Sequence, residues 1–179
     1  MPTTSPTLDQ IWNWLEEVVD PEIPVISVVD LGIVRELNWC EDQGEPKLIV
    51  TITPTYSGCP ATAVIKEDIV TALRERGITN VQIETRLATA WTTDWLSEQG
   101  KRRLREYGIA PPQRFHPQPV SDSSRSCCSE SYAESEAAIE CPRCGTKNAR
   151  MVSQFGSTLC KAFYVCDACR EPFDYFKCH

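Results

Sequence analysis

A chain of 179 residues has room for one ordinary domain and a small appendage, and its net charge of −7 withholds the basic footprint that nucleic-acid binders usually carry. The charge is uneven: residues 1–112 hold seventeen Asp and Glu against ten Lys and Arg, whereas residues 113–179 hold eight of each. No apolar run approaches the roughly 18 residues of a membrane span, no signal-peptide pattern opens the chain, and ten cysteines without an export signal point to thiols in the reducing cytosol.

Thr7 followed by Gln10 is a capping-box pattern, and Leu8, Ile11, Trp12, Leu15, Val18 and Val19 then share one helical face. Pro21 disfavours helical geometry at Asp20 and predicts the end of that helix. Beyond Asp20-Pro21-Glu22-Ile23-Pro24, Val25 to Val29 and the series Val34, Leu37, Trp39 read as extended. A turn at Gln43-Gly44-Glu45 leads into the alternation Leu48, Val50, Ile52. The loop Thr53-Pro54-Thr55-Tyr56-Ser57-Gly58-Cys59-Pro60 runs up to a second helix, with Pro60 suited to its first position, Ala61, Val64, Ile65, Ile69 and Leu73 as its stripe, and Gly77 as its stop. Val81, Ile83, Thr85 and Leu87 predict a third strand, and Asp94 to Tyr107 a last helix closed by Gly108. The order α-β-β-α-β-α makes residues 1–112 a small α+β domain with helices packed on one sheet.

Residues 113–138, rich in Pro and Ser, bury little apolar surface and read as a flexible linker. Residues 139–179 are too few to fold on apolar burial alone. They carry two Cys-x-x-Cys pairs, Cys141/Cys144 and Cys166/Cys169, separated by twenty-one residues. A two-residue gap turns both sulfurs of a pair toward one cation, and two pairs complete an all-sulfur tetrahedron suited to a single structural Zn²⁺. An iron–sulfur cluster or a redox dithiol is the rival reading. The pairs flank a ribbon hairpin expected around Phe155–Ser157 and Ala162–Val165, and zinc could supply on the order of 10 kcal/mol to this module. Four thiolates on one zinc would bring the tail from a net charge of zero to −2. Cys160 and Cys178 could exchange into the metal site, but they fit better as small buried hydrophobes.

Outside the ribbon the most informative residue is Cys59. Directly before Pro60 it would stand at a helix N-cap, where free N–H groups and the helix dipole favour a thiolate able to bind a soft metal, grip a cluster or attack an electrophile. A buried cysteine filling the strand–helix junction is the competing reading. Asp20 and Glu22 could serve as oxygen ligands or could cap turns. Trp91 and Trp95 fit core or interface aromatics. Cys127 and Cys128 are adjacent in the linker, a poor geometry for a fixed site. His116 and His179 are the only histidines and both lie outside residues 1–112, so Cys59 lacks the usual base of nucleophilic catalysis. There is no phosphate-binding glycine loop and no dinucleotide fingerprint.

Three segments, Asp20-Pro21-Glu22-Ile23-Pro24, Val29-Asp30-Leu31-Gly32-Ile33-Val34, and Thr51-Ile52-Thr53-Pro54 followed by Gly58-Cys59-Pro60, give residues 10–90 a close resemblance to the SufT-like family of iron–sulfur assembly factors. That resemblance implies a role in installing iron–sulfur centres in client proteins, with Cys59 as the functional thiol, Asp20 and Glu22 beside it, and iron or a cluster held transiently. A narrower resemblance covers nearly the whole chain. The stretches TPTYSGCPA from Thr53, AWTTDW from Ala90, LREYGIAP from Leu104, and the tail FGSTLCKAFYVCDACREPFDYFKC resemble PaaD-like proteins, the D component of the bacterial phenylacetyl-CoA epoxidase system. The chain departs from that family in its longer serine-rich linker with Cys127-Cys128, and in Thr89 where a proline is expected.

The resemblance implies a multicomponent oxygenase in which a di-iron subunit epoxidises the aromatic ring of phenylacetyl-CoA, fed by a flavin and [2Fe–2S] reductase. This chain carries no paired Glu-x-x-His and no flavin or nicotinamide motif, so the expectation is a cytoplasmic accessory factor rather than the catalytic subunit. Its implied partners are the oxygenase and reductase subunits, with no nucleic acid and no membrane. One version has it assist maturation of a metal centre, the reductase's [2Fe–2S] cluster first, with the ribbon docking the client. The alternative is a stably bound, non-catalytic structural subunit. A thiol-redox enzyme, in which Cys59 would alkylate fast at neutral pH, is a third.

Overall fold

The computed structural model describes residues 5–113 and 139–177, so the linker expected over 113–138, Cys127, Cys128, His116, Cys178 and His179 lie wholly or almost wholly outside the described residues. Within them the chain runs α1 (Leu8–Leu15), β1 (Val34–Asp42), β2 (Glu45–Ile52), α2 (Thr62–Glu75), β3 (Val81–Thr85), a 3₁₀ turn (Thr93–Trp95), α3 (Glu98–Tyr107), β4 (Ile109–Ala110), β5 (Ala149–Ser153), β6 (Lys161–Cys166) and β7 (Pro172–Phe176). The expected α+β order therefore holds.

The first sheet is β1-β2-β3, an antiparallel hairpin extended by a parallel strand on the far side of the α2 crossover. Leu48, Val50 and Ile52 of β2 are fully buried, as are Ile11 and Leu15 of α1 and Ile69 and Leu73 of α2. Each such side chain contributes about 1.5–3 kcal/mol when removed from water, and together they fasten both helices to the sheet. The Thr7–Gln10 capping box is present in full.

Several elements differ from expectation. Helix α1 stops at Leu15 rather than at Pro21, and Val19 is left exposed in an isolated bridge to Ser27. The stretch Val25 to Val29 is a series of tight turns, not a strand. Asp20 starts it, its Oδ1 accepting from the amides of Glu22 (2.9 Å) and Ile23 (2.8 Å), and Ser27 Oγ accepts from the Asp30 amide at 2.9 Å. Ile23, Ile26, Val28 and Leu31 fill the core from these turns, so an apolar run that resembles a strand is a coil of caps. Gly32 is needed there: its φ is +66°, and a Cβ would meet the Trp95 carbonyl oxygen at 2.6 Å. The last helix begins only at Glu98, because Ser97 caps it through the Gly100 amide and also bonds Asp30. Leu87, expected in the third strand, lies beyond its end at Thr85 and is exposed, as is Val64 from the expected stripe of α2. The expected ribbon hairpin is present as antiparallel β5 and β6, with Phe155–Ser157 in the connection between them and Ala162–Val165 in β6.

The second sheet is β4-β7-β6-β5, so Ile109 and Ala110, which follow α3, pair in parallel with Asp174 and Tyr175 of β7. The exchange is reciprocal. Ala110 packs in the ribbon's core with Phe173, Tyr175 and Cys166. Phe176 and Cys160 pack in the core of the first domain, where Phe176 meets Trp91 edge-on with ring centroids 6.0 Å apart. Successive residues of a strand face opposite ways. Phe173 and Tyr175 therefore serve the ribbon while Phe176 points into its neighbour. Trp91 is anchored in turn by its indole N–H on the Leu31 carbonyl at 2.8 Å.

Candidate functional site

The four ribbon cysteines converge. Their sulfurs all lie within 4.8 Å of one another, with Cys141 3.8 Å from Cys169 and Cys144 3.6 Å from Cys166. A Zn–S bond of about 2.3 Å implies a tetrahedral S···S edge of about 3.8 Å, so the cage has the dimensions of an S₄ metal shell. Two matching turns build it: the Gly145 amide bonds the Cys141 carbonyl and the Arg170 amide bonds the Cys166 carbonyl, each at 2.9 Å. Gly145 and Arg170 both take positive φ, 72° and 63°. The Cys169 amide and the Thr146 hydroxyl pull the Cys166 thiol down to about 6, presenting a thiolate to an incoming cation. This is a metal-binding cluster, and its donor set suits zinc.

The second assembly lies at the junction of the two modules. Asp20, Glu22, Cys59 and Cys160 line one small recess, closed from behind by Ile23, Ile65 and Phe176. The structure thus brings together the three residues singled out upstream and adds Cys160, which sequence reasoning set aside as packing. Cys160 is indeed buried, at 6% exposure, but its sulfur stands 3.7 Å from Glu22 Oε2 and 3.1 Å from the Thr158 hydroxyl. Its backbone is clamped at the start of β6, since its carbonyl accepts from the Lys177 amide at 3.0 Å. Lys161 beside it is a buried cation whose Nζ lies 3.5 Å from Asp174 Oδ2. No spacing signal marked Cys160, because it belongs to neither Cys-x-x-Cys pair and meets Glu22 across 138 residues of sequence.

Cys59 is placed differently from the expected helix cap. Helix α2 starts at Thr62 with Ala61 as its N-cap, so Cys59 precedes the helix by a short turn held by its carbonyl on the Thr62 amide at 3.2 Å. Burial pushes the Cys59 thiol above its ordinary value. That outweighs the Ala61 amide and the Thr62 hydroxyl, which both favour the thiolate, and Glu22 and Asp20 push in the same direction as burial. The expected thiolate is therefore a half-buried neutral thiol, because desolvation and two carboxylates outweigh the groups that favour the anion. Burial likewise raises the Asp20 carboxyl above its ordinary value, against the two amides bonded to it, and takes Cys160 up to about 11. Since alkylation needs the thiolate and a raised folded value keeps the thiol protonated, the rate at Cys59 should still be climbing as the pH passes the ordinary thiol value of 9.0. A pH-rate profile with iodoacetamide, read by mass spectrometry, checks this. A plateau near neutrality would restore the thiol-redox enzyme.

Comparison with known proteins matches both modules. The family model described as an iron–sulfur cluster assembly protein matches residues 8–84, and the one described as the PaaD zinc beta ribbon domain matches residues 125–177. A protein of Escherichia coli (strain K12), named as the D component of 1,2-phenylacetyl-CoA epoxidase, is 44% identical over 173 residues, covering 97% of this chain and 94% of that one. The Fe-S protein maturation auxiliary factor YitW of Bacillus subtilis (strain 168) is 31% identical over 97 residues, 54% of this chain and 91% of its own. A solved domain of unknown function, DUF59, from Bacillus anthracis aligns with 24% identity and a TM-score of 0.47, over 54% of this chain and 89% of its own. Among the described residues no helix is long and apolar enough to cross a membrane. Matched by an iron–sulfur-assembly model and then a PaaD zinc-ribbon model, and 44% identical to that Escherichia coli protein over 97% of its length, this chain belongs to the PaaD family, that of the phenylacetyl-CoA epoxidase D component.

Proposed function

We propose that this chain is an accessory, non-catalytic factor of the aerobic phenylacetate pathway that assists maturation of an iron or iron–sulfur centre in the phenylacetyl-CoA epoxidase complex. Cys59 is the thiol that holds the cargo in transit, and Asp20 and Glu22 shape its surroundings. One Zn²⁺ in the ribbon is structural, held by Cys141, Cys144, Cys166 and Cys169, and fixes the wall of the recess. The oxygenase and reductase subunits are the partners, and the reductase's [2Fe–2S] cluster is the first client to test. The observation that carries this reading is the position of Cys59: a reachable thiol in a recess with two carboxylates, within the segment that the iron–sulfur assembly model matches. A site for transient cargo has to be under-coordinated, and Cys59, a half-buried thiol outside the closed S₄ cage and beside two carboxylates, meets that need.

The zinc cage does not serve as the carrier in this reading. Four sulfurs at tetrahedral spacing leave no open position, and closed zinc sites are structural whereas reactive ones keep a vacancy. The test is complementation of a strain lacking this chain with Cys59→Ala. Growth on phenylacetate should fall severely, and reductase purified anaerobically from that strain should be depleted in iron and acid-labile sulfide. Full growth with a full cluster load would remove the carrier role and favour the structural-subunit alternative. Co-purification with the oxygenase at fixed stoichiometry would then be its signature.

A further inference from the structure

Glu22 is fixed in the recess from two directions. The first domain sets its backbone: Asp20 Oδ1 accepts from the Glu22 amide at 2.9 Å and from the Ile23 amide at 2.8 Å, and the turn so formed leaves Glu22 lining the recess with Cys59. The ribbon meets its carboxylate, because the Cys160 thiol donates to Glu22 Oε2 at 3.7 Å. With that proton committed, the Thr158 hydroxyl 3.1 Å away donates to the same sulfur, so a directed chain runs from Thr158 through Cys160 to Glu22. Burial takes the Cys160 thiol up to about 11, which keeps it a donor at neutral pH. Among the described residues no ion pair involves Glu22 or Asp20, whereas the buried Lys161 next to Cys160 is held by Asp174 Oδ2 at 3.5 Å. The recess around Cys59 therefore carries negative charge that no neighbouring cation is paired with.

We propose that Cys160 is a positioning residue for the carrier thiol: from the ribbon it holds the Glu22 carboxylate beside Cys59, so that the recess admits cationic, metal-bearing cargo and turns away anions. This rests on the carrier reading above and adds the charge of what the site accepts. Cys160 binds no cargo in this role. Its sulfur stays protonated in the core it shares with Phe176, and Cys59 alone takes the cargo. A carboxylate released from Cys160 would turn toward solvent, where ions screen it and its hold on the charge of the recess is lost. The ribbon thus tunes the first domain's thiol through one hydrogen bond across the seam, which no spacing within either module provides.

The test alkylates Cys59 in full-length, zinc-loaded protein with two reagents of nearly equal size, neutral iodoacetamide and anionic iodoacetate, at one pH and low ionic strength. Both reagents draw on the same thiolate fraction, so the ratio of their rates cancels the titration of Cys59 and reports local charge. Corrected by the same ratio for a small uncharged thiol, wild type should prefer iodoacetamide by about fivefold, the factor a unit charge at about 4 Å exerts even through water. Added salt should erode that preference. Glu22→Gln and Cys160→Ala should each bring the corrected ratio toward one, and the double variant no further than either alone. Cys160→Ser keeps a hydroxyl donor and should restore the preference. A preference retained in Cys160→Ala, or one that Cys160→Ser does not rescue, would overturn the positioning role, as would a wild-type ratio of one. The hydrogen bond has its own readout in the infrared S–H stretching band, assigned to Cys160 by difference against Cys160→Ser. That band should move to higher frequency in Glu22→Gln, and a band that stays in place would overturn the pairing without relying on Cys160→Ala folding. Either failure leaves the carrier reading standing, since growth of the Cys59→Ala strain reads that role without reference to Glu22.

Discussion

Stripping the metal from the ribbon should undo the recess without unfolding the first domain. The second sheet owes its order to four sources: the S₄ cage, a seven-residue buried cluster, the β4–β7 pairing, and the insertion of Phe176 and Cys160 into the first domain's core. The first is the largest. Structural zinc contributes on the order of 10–16 kcal/mol to such modules, well beyond what a cluster of that size supplies against the entropy of ordering the chain. With the metal removed by a chelator, or with Cys166→Ala, amide exchange protection should be lost from β5, β6 and β7 and from Ile109–Ala110, while β1 to β3 and α2 keep theirs. Phe176 would leave Trp91, shifting the tryptophan emission to the red. Cys59 would alkylate faster, because the ribbon forms one wall of its recess. Retained protection in β6 and β7 with the metal gone would mean that packing alone holds the ribbon.

The sequence patterns were most legible where one local rule governs the outcome. The Thr7–Gln10 capping box, the alternation in β2, the stop at Gly77 and the four ribbon ligands all follow from spacing within a few residues, and the structure keeps each. They were least legible where side-chain caps replace the backbone ladder. Val25 to Val29 carries the apolar content of a strand, yet the Asp20 and Ser27 caps turn it back on itself. Cys59 shows a different limit. Its neighbours along the chain suggested a thiolate, whereas its surroundings in space hold it as a neutral thiol. Cys160 was legible only in space, because its partner Glu22 stands at the other end of the molecule's sequence and no periodicity links them.

The same long-range pairing gives the two modules unequal roles. The first domain contributes the main chain of Ile109 and Ala110 and the Ala110 methyl group to the ribbon, and receives Phe176 and Cys160 in return. The buried Lys161, adjacent to Cys160, is held by Asp174 from β7, which also accepts from the Ser157 hydroxyl at 2.8 Å. That small polar network ties the start of β6 to β7 and thereby sets where the thiol lies. Docking and the placement of Cys160 are thus one structural feature, and a change that loosens one should loosen the other.

Phe176→Ala separates the metal from the docking and should have the second large effect. Phe176 is 1% exposed, belongs to the core of the first domain, and touches Trp91. Truncating a buried phenylalanine costs about 3–5 kcal/mol, and here the loss falls on the contact between modules because the ring projects away from the ribbon's own cluster. The zinc cage is formed by residues of the ribbon alone, so the variant should keep one zinc per chain. Its denaturation midpoint should nevertheless fall, its tryptophan emission should move to the red, and Cys59 should alkylate faster, as in the stripped protein. Phe173→Ala is the contrasting substitution: that ring stacks on Tyr164 inside the ribbon, with centroids 6.0 Å apart, so its loss should weaken zinc retention first. An unaltered midpoint and an unaltered Cys59 rate in Phe176→Ala, with zinc retained, would show that the β4–β7 pairing suffices to seat the ribbon. The recess would then owe its shape to backbone hydrogen bonds rather than to this buried ring.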